Sequence, residues 1–217
     1  MPSDTGDCPA SRQPSQRITP ASLMPDAPGA RNMPTRSRTL DTTTPALTMV
    51  CVIWAIFALE LLFPFLGLRR LGIHPRSIFG LVGILFAPLL HAGLFHIAAN
   101  TVPLFVMLVL LQIQNARRSM QTLAQIWLLS GLGTWLIGRG GSVHIGASGL
   151  IYGLLSYLIA AGFYERNWRS IAIGAVVLFS YGGLLWRIVP SYWFVSWEAH
   201  LCGAVSGVLV ASWLRRK

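Results

Sequence analysis

From about Leu47 onward the chain is a succession of apolar stretches separated by short polar breaks. They run from about Leu47 to Leu66, Leu94 to Leu111, Met120 to Ile137, Ser148 to Phe163, Ser170 to Ile188 and Ala199 to Leu214. A helix needs roughly 20 apolar residues to cross the hydrocarbon of a bilayer. The third and fourth stretches fall a little short of that. The pattern predicts an all-α membrane protein, a bundle of six transmembrane helices built from residues 46–217.

One connection does not fit a tight turn. Between Gly67 and Leu90 the chain carries Arg69, Arg70, His74, Pro75 and Arg76, but also Ile78, Phe79, Leu81, Val82, Ile84, Leu85 and Phe86. A solvated loop is not so apolar. This long first loop is expected to lie in the outer interface of the bilayer and to be partly helical. Residues 1–45 are the opposite case. They hold eight of the 13 prolines and show no apolar period, which predicts a disordered tail. No apolar core follows a short basic start, so the tail does not read as a signal peptide. Its prolines and its four Asp residues argue against a transit peptide.

Composition agrees with the spans. The chain is 53% hydrophobic and 11% charged, with a mean hydropathy of +0.58. The net charge of +10 does not point to nucleic acid, because the basic residues form no dense patch with interleaved aromatics. They follow the positive-inside rule instead. With the N-terminus in the cytoplasm, twelve of the 17 basic residues fall inside and five outside. Both termini are therefore expected in the cytoplasm. The three cysteines, Cys8, Cys51 and Cys202, show no pairing pattern and read as structural thiols.

The candidate chemistry begins at Gly146-Ala147-Ser148-Gly149. Glycine on both sides of a serine lets the backbone turn tightly and leaves the hydroxyl uncovered. A helix that starts at Ser148 aims free N–H groups and a positive dipole end at any anion formed there. Taken alone, this is more often a packing face than a nucleophile. Topology adds to it. In a six-span chain with its N-terminus inside, the second, fourth and sixth helices all start outside. His96 and Asn100 lie near the start of the second, Ser148 at the start of the fourth, and His200 at the start of the sixth. All four fall at one membrane depth.

Spacing sharpens the picture. His96 and Asn100 lie one turn apart on one face, as do Ser148 and Tyr152. His200, Gly203 and Gly207 form a single stripe. Gly149 and Gly153, like Gly203 and Gly207, are small-xxx-small pairs that let membrane helices approach closely. The fourth and sixth helices are thus expected to pack backbone to backbone and to bring His200 to Ser148. A histidine there removes the serine proton and later protonates the leaving amine. No carboxylate is placed to complete a triad. Glu198 should face away from His200 on the same helix, and Glu60 is free to pair with Arg69 or Arg70. Tyr152 is expected to stack under the imidazole.

The chain resembles the rhomboid intramembrane serine proteases of the six-span prokaryotic type. The matching residues are His91-x4-His96-x3-Asn100, Gly146-x-Ser148-Gly149 with Tyr152, and His200-x2-Gly203-x3-Gly207. The resemblance covers about Leu47 to Leu214. It implies Ser148 as nucleophile, His200 as base, and an oxyanion hole from His96, Asn100 and the Ser148 backbone N–H. It gives His91 a supporting role. It also implies single-span membrane proteins as substrates, cut near the outer end of their helix, with no metal or cofactor. The family's first loop often carries a Trp-Arg pair, and here Arg69-Arg70 follows Leu68 instead.

Bland readings stand beside these. His74 and His144 are expected to be surface or structural, and the eight Trp to mark the membrane interfaces. Two other classes of function compete. One is a proteolytically inactive rhomboid-like protein that holds membrane clients, though such proteins lack the serine or the histidine. The other is a metal or haem protein using His91, His96, His144 and His200, but no close His-x3-His pair supports it.

Overall fold

The computed structural model describes residues 38–189 and 196–215, with side chains described over 42–189 and 196–214. Seven α-helices are present among the described residues: α1 (Arg38–Leu62), α2 (Ile78–Phe86), α3 (Leu94–Asn115), α4 (Ser119–Ile137), α5 (Ser148–Glu165), α6 (Trp168–Tyr181) and α7 (Trp197–Arg215). The predicted disordered tail falls mostly outside the described residues. Its expected end at residue 45 lies inside α1, which starts at Arg38 and contains Pro45. Pro45 has no N–H to give to the carbonyl four residues earlier, and the helix runs on through it.

Three segments are long and apolar enough to cross a membrane by length and composition: Thr42–Leu62, Leu94–Asn115 and Trp168–Ile188. α4, α5 and α7 do not meet that test. For α5 the reason is its place in the bundle. Twelve of its 18 residues are buried, so neighbouring helices meet most of its surface and small or polar side chains are tolerated there. Leu104, Met107, Leu111, Ile126, Leu150, Leu154, Leu155 and Leu158 form the centre of the core.

Hydrogen bonds mark the two ends of the bundle. At one end the Gln114 amide donates to Glu165 and Ser170, and Arg118 Nη1 donates to the Leu214 carbonyl. The starts of α3, α5 and α7 gather at the other end, where the polar residues singled out above are found.

The long first connection is partly helical, as its composition predicts. Short 3-10 turns cover Pro64–Leu66, Leu68–Leu71 and Ala87–Leu89. Ser77 caps α2 by accepting from the Gly80 N–H at 3.3 Å. α2 is strapped to α4. Trp127 Nε1 donates to the Ile84 carbonyl and Trp135 Nε1 to the Ser77 carbonyl, both at 2.8 Å. Arg76 donates to the Gly138 carbonyl at 2.8 Å. These two tryptophans hold the loop rather than simply marking an interface. Ile78 and Phe79, on the outer side of α2, remain exposed. Glu60 pairs with Arg69 at 2.8 Å, one of the two partners expected for it. Arg69 also donates to the Ala92 carbonyl at 3.3 Å, which ties the end of α1 to the start of α3.

Candidate active site

Ser148 is the first residue of α5, as the glycine pattern predicts. Ala147, at the N-cap, has no side chain that can cap the helix, and Ser148 is half-buried. The turn before it depends on Gly146. Its φ of +114° lies where side chains are rarely tolerated, and a Cβ there would sit 2.6 Å from both Cε1 and Nε2 of His96.

The glycine stripes meet as expected. A Cβ on Gly203 would overlap the Gly149 carbonyl oxygen, and one on Gly207 would overlap the Gly153 carbonyl oxygen. A Cβ on Gly149 would come within 3.2 Å of the Ala199 carbonyl oxygen. Ser148 and His200 are thus each one residue from the same backbone contact between α5 and α7.

His200 is buried and lies flat on Tyr152, with ring centroids 4.2 Å apart and planes 10° apart. Its Nδ1 is 3.1 Å from the Arg187 carbonyl. A carbonyl only accepts, so Nδ1 carries the hydrogen and Nε2 keeps its lone pair. The Tyr152 hydroxyl donates to the Leu184 carbonyl at 2.8 Å. Both stacked rings are therefore held by carbonyls of the 3-10 turn Gly182–Ile188 that continues α6. The sequence gives no sign of this, because a backbone carbonyl leaves no mark on residue type.

His96 has the opposite tautomer. The Ala92 N–H donates to its Nδ1 in a long bond of 3.4 Å, so Nε2 carries the hydrogen. That nitrogen points at Gly146. Asn100 Nδ2 comes within 3.6 Å of the same Gly146 position, and this buried donor has no partner among the described residues. Two N–H donors thus converge on the turn just before Ser148. His91 packs edge-on against His96, with centroids 5.1 Å apart. Burial, reinforced by His96, pushes its imidazole down to about 4.

A cavity of about 30 Å³ lies behind this turn, lined by Ser130, Thr134, His144, Gly146, Gly149 and Ala199 among others. Its volume is close to one water's share of the liquid. His144 is only 2% exposed, so it is a structural residue and not a surface one. His74 is structural as well, its Nε2 lying 2.9 Å from the Arg70 carbonyl. Among the described residues no group of three or more His, Cys, Asp or Glu side chains is placed to hold a metal ion.

Similarity to known proteins gives the family. The family model described as Rhomboid domain matches residues 79–217. This chain belongs to the rhomboid family. It is also 45% identical over 178 residues to uncharacterized proteins of Mycobacterium tuberculosis and Mycobacterium bovis, a match covering 77% of this chain and 73% of each relative. An uncharacterized protein of Mycobacterium leprae is 45% identical over 137 residues, covering 59% of this chain and 54% of that one. The rhomboid match takes in His91, His96, Asn100, Ser148, Tyr152, Gly203 and His200, and it leaves out α1 and the first half of the first loop.

Proposed function

We propose that this rhomboid is an intramembrane serine endopeptidase that cuts single-span membrane proteins near the outer end of their helix. The observation that carries the reading is the pair of opposite tautomers. His200 keeps a lone pair on Nε2 one residue from the α5–α7 contact, while His96 holds a hydrogen on Nε2 beside Gly146. One ring is set to take a proton and the other to donate a hydrogen bond.

In this mechanism the Ser148 hydroxyl attacks the scissile carbonyl as His200 Nε2 takes its proton. Negative charge moves to the carbonyl oxygen. His96 Nε2–H, Asn100 Nδ2–H and the Ser148 backbone N–H stabilise it, each such donor being worth roughly 3–4 kcal/mol in other enzymes. The C–N bond breaks, and the imidazolium gives its proton to the departing amine. Water then attacks the acyl-enzyme with His200 again as base, which restores Ser148. Helices α1, α3, α4, α5, α6 and α7 are the six spans, in a bacterial plasma membrane with both termini cytoplasmic and α2 in the outer interface.

The test is labelling by a serine-directed fluorophosphonate together with cleavage of a model single-span substrate. Wild type should label and cleave. Ser148→Ala should do neither, and His200→Ala should lose cleavage while still inserting and folding. Full cleavage by either variant in detergent would overturn the reading.

A further inference from the structure

Glu198 stands two residues before His200 and plays no part in the chemistry above, yet it is 1% exposed. Its Oε1 lies 2.7 Å from Arg139 Nε, in the turn that follows α4. The contact is an ion pair, since neither Glu198 oxygen accepts a hydrogen bond among the described residues, and removing the cation would strand a buried charge. A second tie runs alongside. Ser142 Oγ donates to the Arg139 carbonyl at 2.7 Å, so the same oxygen is left to accept from His144 Nε2, which is 3.0 Å away. His144 Nδ1 then accepts from Ser196 Oγ, also at 3.0 Å. Burial pushes the His144 imidazole down, which keeps the ring in the neutral form this chain of bonds requires.

Together the two ties close a ring. It runs from the Arg139 guanidinium to Glu198, along the first residues of α7 to Ser196, then through His144 and Ser142 back to the Arg139 carbonyl. The same loop is fixed on its other side. His144 and Ile73 exchange both backbone hydrogen bonds, at 2.9 and 3.0 Å, and the Gly146 N–H donates to the Ala87 carbonyl at 2.8 Å. The segment that delivers Ser148 is thus clamped both to the start of α7 and to the first loop.

We propose that Arg139, Glu198, His144 and Ser196 are positioning residues, a clamp that sets the place of the His200 turn relative to Ser148. Glu198 does for the histidine what the third member of a catalytic triad does, by a different route. It fixes the helix that carries the imidazole and does not touch the ring. The kinetic side of this proposal rests on the protease reading; the structural side does not.

The experiment combines steady-state cleavage with amide hydrogen exchange on the full chain in detergent. In Glu198→Gln, kcat should fall about tenfold or more, in line with the steep cost of small misplacements, while KM stays within about twofold. Exchange should speed up at residues 199–203 and stay unchanged at 207–212. Glu198→Asp should recover part of both losses. Ser196→Ala opens the ring without stranding a charge, and it should give the same pattern at smaller size even where Glu198→Gln fails to fold. Wild-type kcat and wild-type exchange in either folded variant would overturn the clamp, as would a loss confined to KM. If wild type does not cleave at all, the protease reading falls, and the exchange pattern still decides the clamp.

Discussion

The imidazole of His200 lies 4.2 Å above the Tyr152 ring, with the two planes 10° apart. Each ring is anchored separately, to the carbonyls of Arg187 and Leu184. The stack is therefore a fixed shelf for the imidazole. Tyr152→Phe keeps the shelf and loses one hydrogen bond, so kcat should fall only a few-fold. Tyr152→Ala removes the shelf, and the freed imidazole should lower kcat on the order of a hundredfold. Equal losses in the two variants, measured on one substrate, would show that the hydroxyl matters and the stacking does not.

Asn100 Nδ2 is a buried donor with no partner among the described residues, so its desolvation is compensated only when an acceptor arrives. Asn100→Ala should reduce kcat by about 10²–10³ while leaving thermal stability equal to or above wild type. A melting temperature well below wild type would show that the amide serves the fold.

Gly203→Val should abolish cleavage although it replaces no reacting group, because its Cβ would overlap the Gly149 carbonyl oxygen. Cys202 faces Gly133 of α4, whose Cβ position is 3.0 Å from the Cys202 Sγ. A larger residue there would crowd α4, so Cys202→Ala, which only removes atoms, is the fitting control and should keep most activity. Near wild-type turnover in Gly203→Val would refute the backbone contact between α5 and α7.

Sidedness is checked with single cysteines in a chain lacking Cys8, Cys51 and Cys202. Arg70→Cys should react with an impermeant maleimide in intact cells, and Arg117→Cys only after permeabilisation. Both positions are exposed. Ser77 is a poorer reporter, because its hydroxyl caps α2. The reverse labelling pattern would invert the proposed topology and with it the proposed side of cleavage.

His91 gives a pH signature. Its folded-state value of about 4 lies below the ordinary 6.5, so the unfolded chain takes up a proton first as pH falls. Stability should be flat above about 6.5 and decline from there towards pH 4. His91→Asn should make that part of the melting-temperature profile shallower, with the lowered His144 imidazole contributing to what remains. An identical slope in the variant would assign the acid sensitivity to other groups.

Much of the site was legible in the sequence because it rests on residue type and helical period. The start of α5 at Ser148, the start of α3 at Leu94 and the meeting of the two glycine stripes all follow from spacing alone. The Glu60–Arg69 pair followed from charge and proximity. What stayed hidden depends on backbone carbonyls or on distant partners. Arg187 contributes its carbonyl and Trp135 finds one in Ser77, and no residue pattern encodes either. His144 could be read only as surface or structural, because its partner Ser196 lies 52 positions away.

The carbonyl oxygens of Gly149 and Gly153 occupy the places where side chains on Gly203 and Gly207 would begin. Peptide groups have no rotamers, so this spacing cannot be tuned by swapping one core side chain for another. It works as a rigid gauge built into the chain. Sequence drift is then free to act on the outward faces of α1 and α6, whereas any residue larger than glycine at either gauge point resets the distance for every group mounted on the two helices at once.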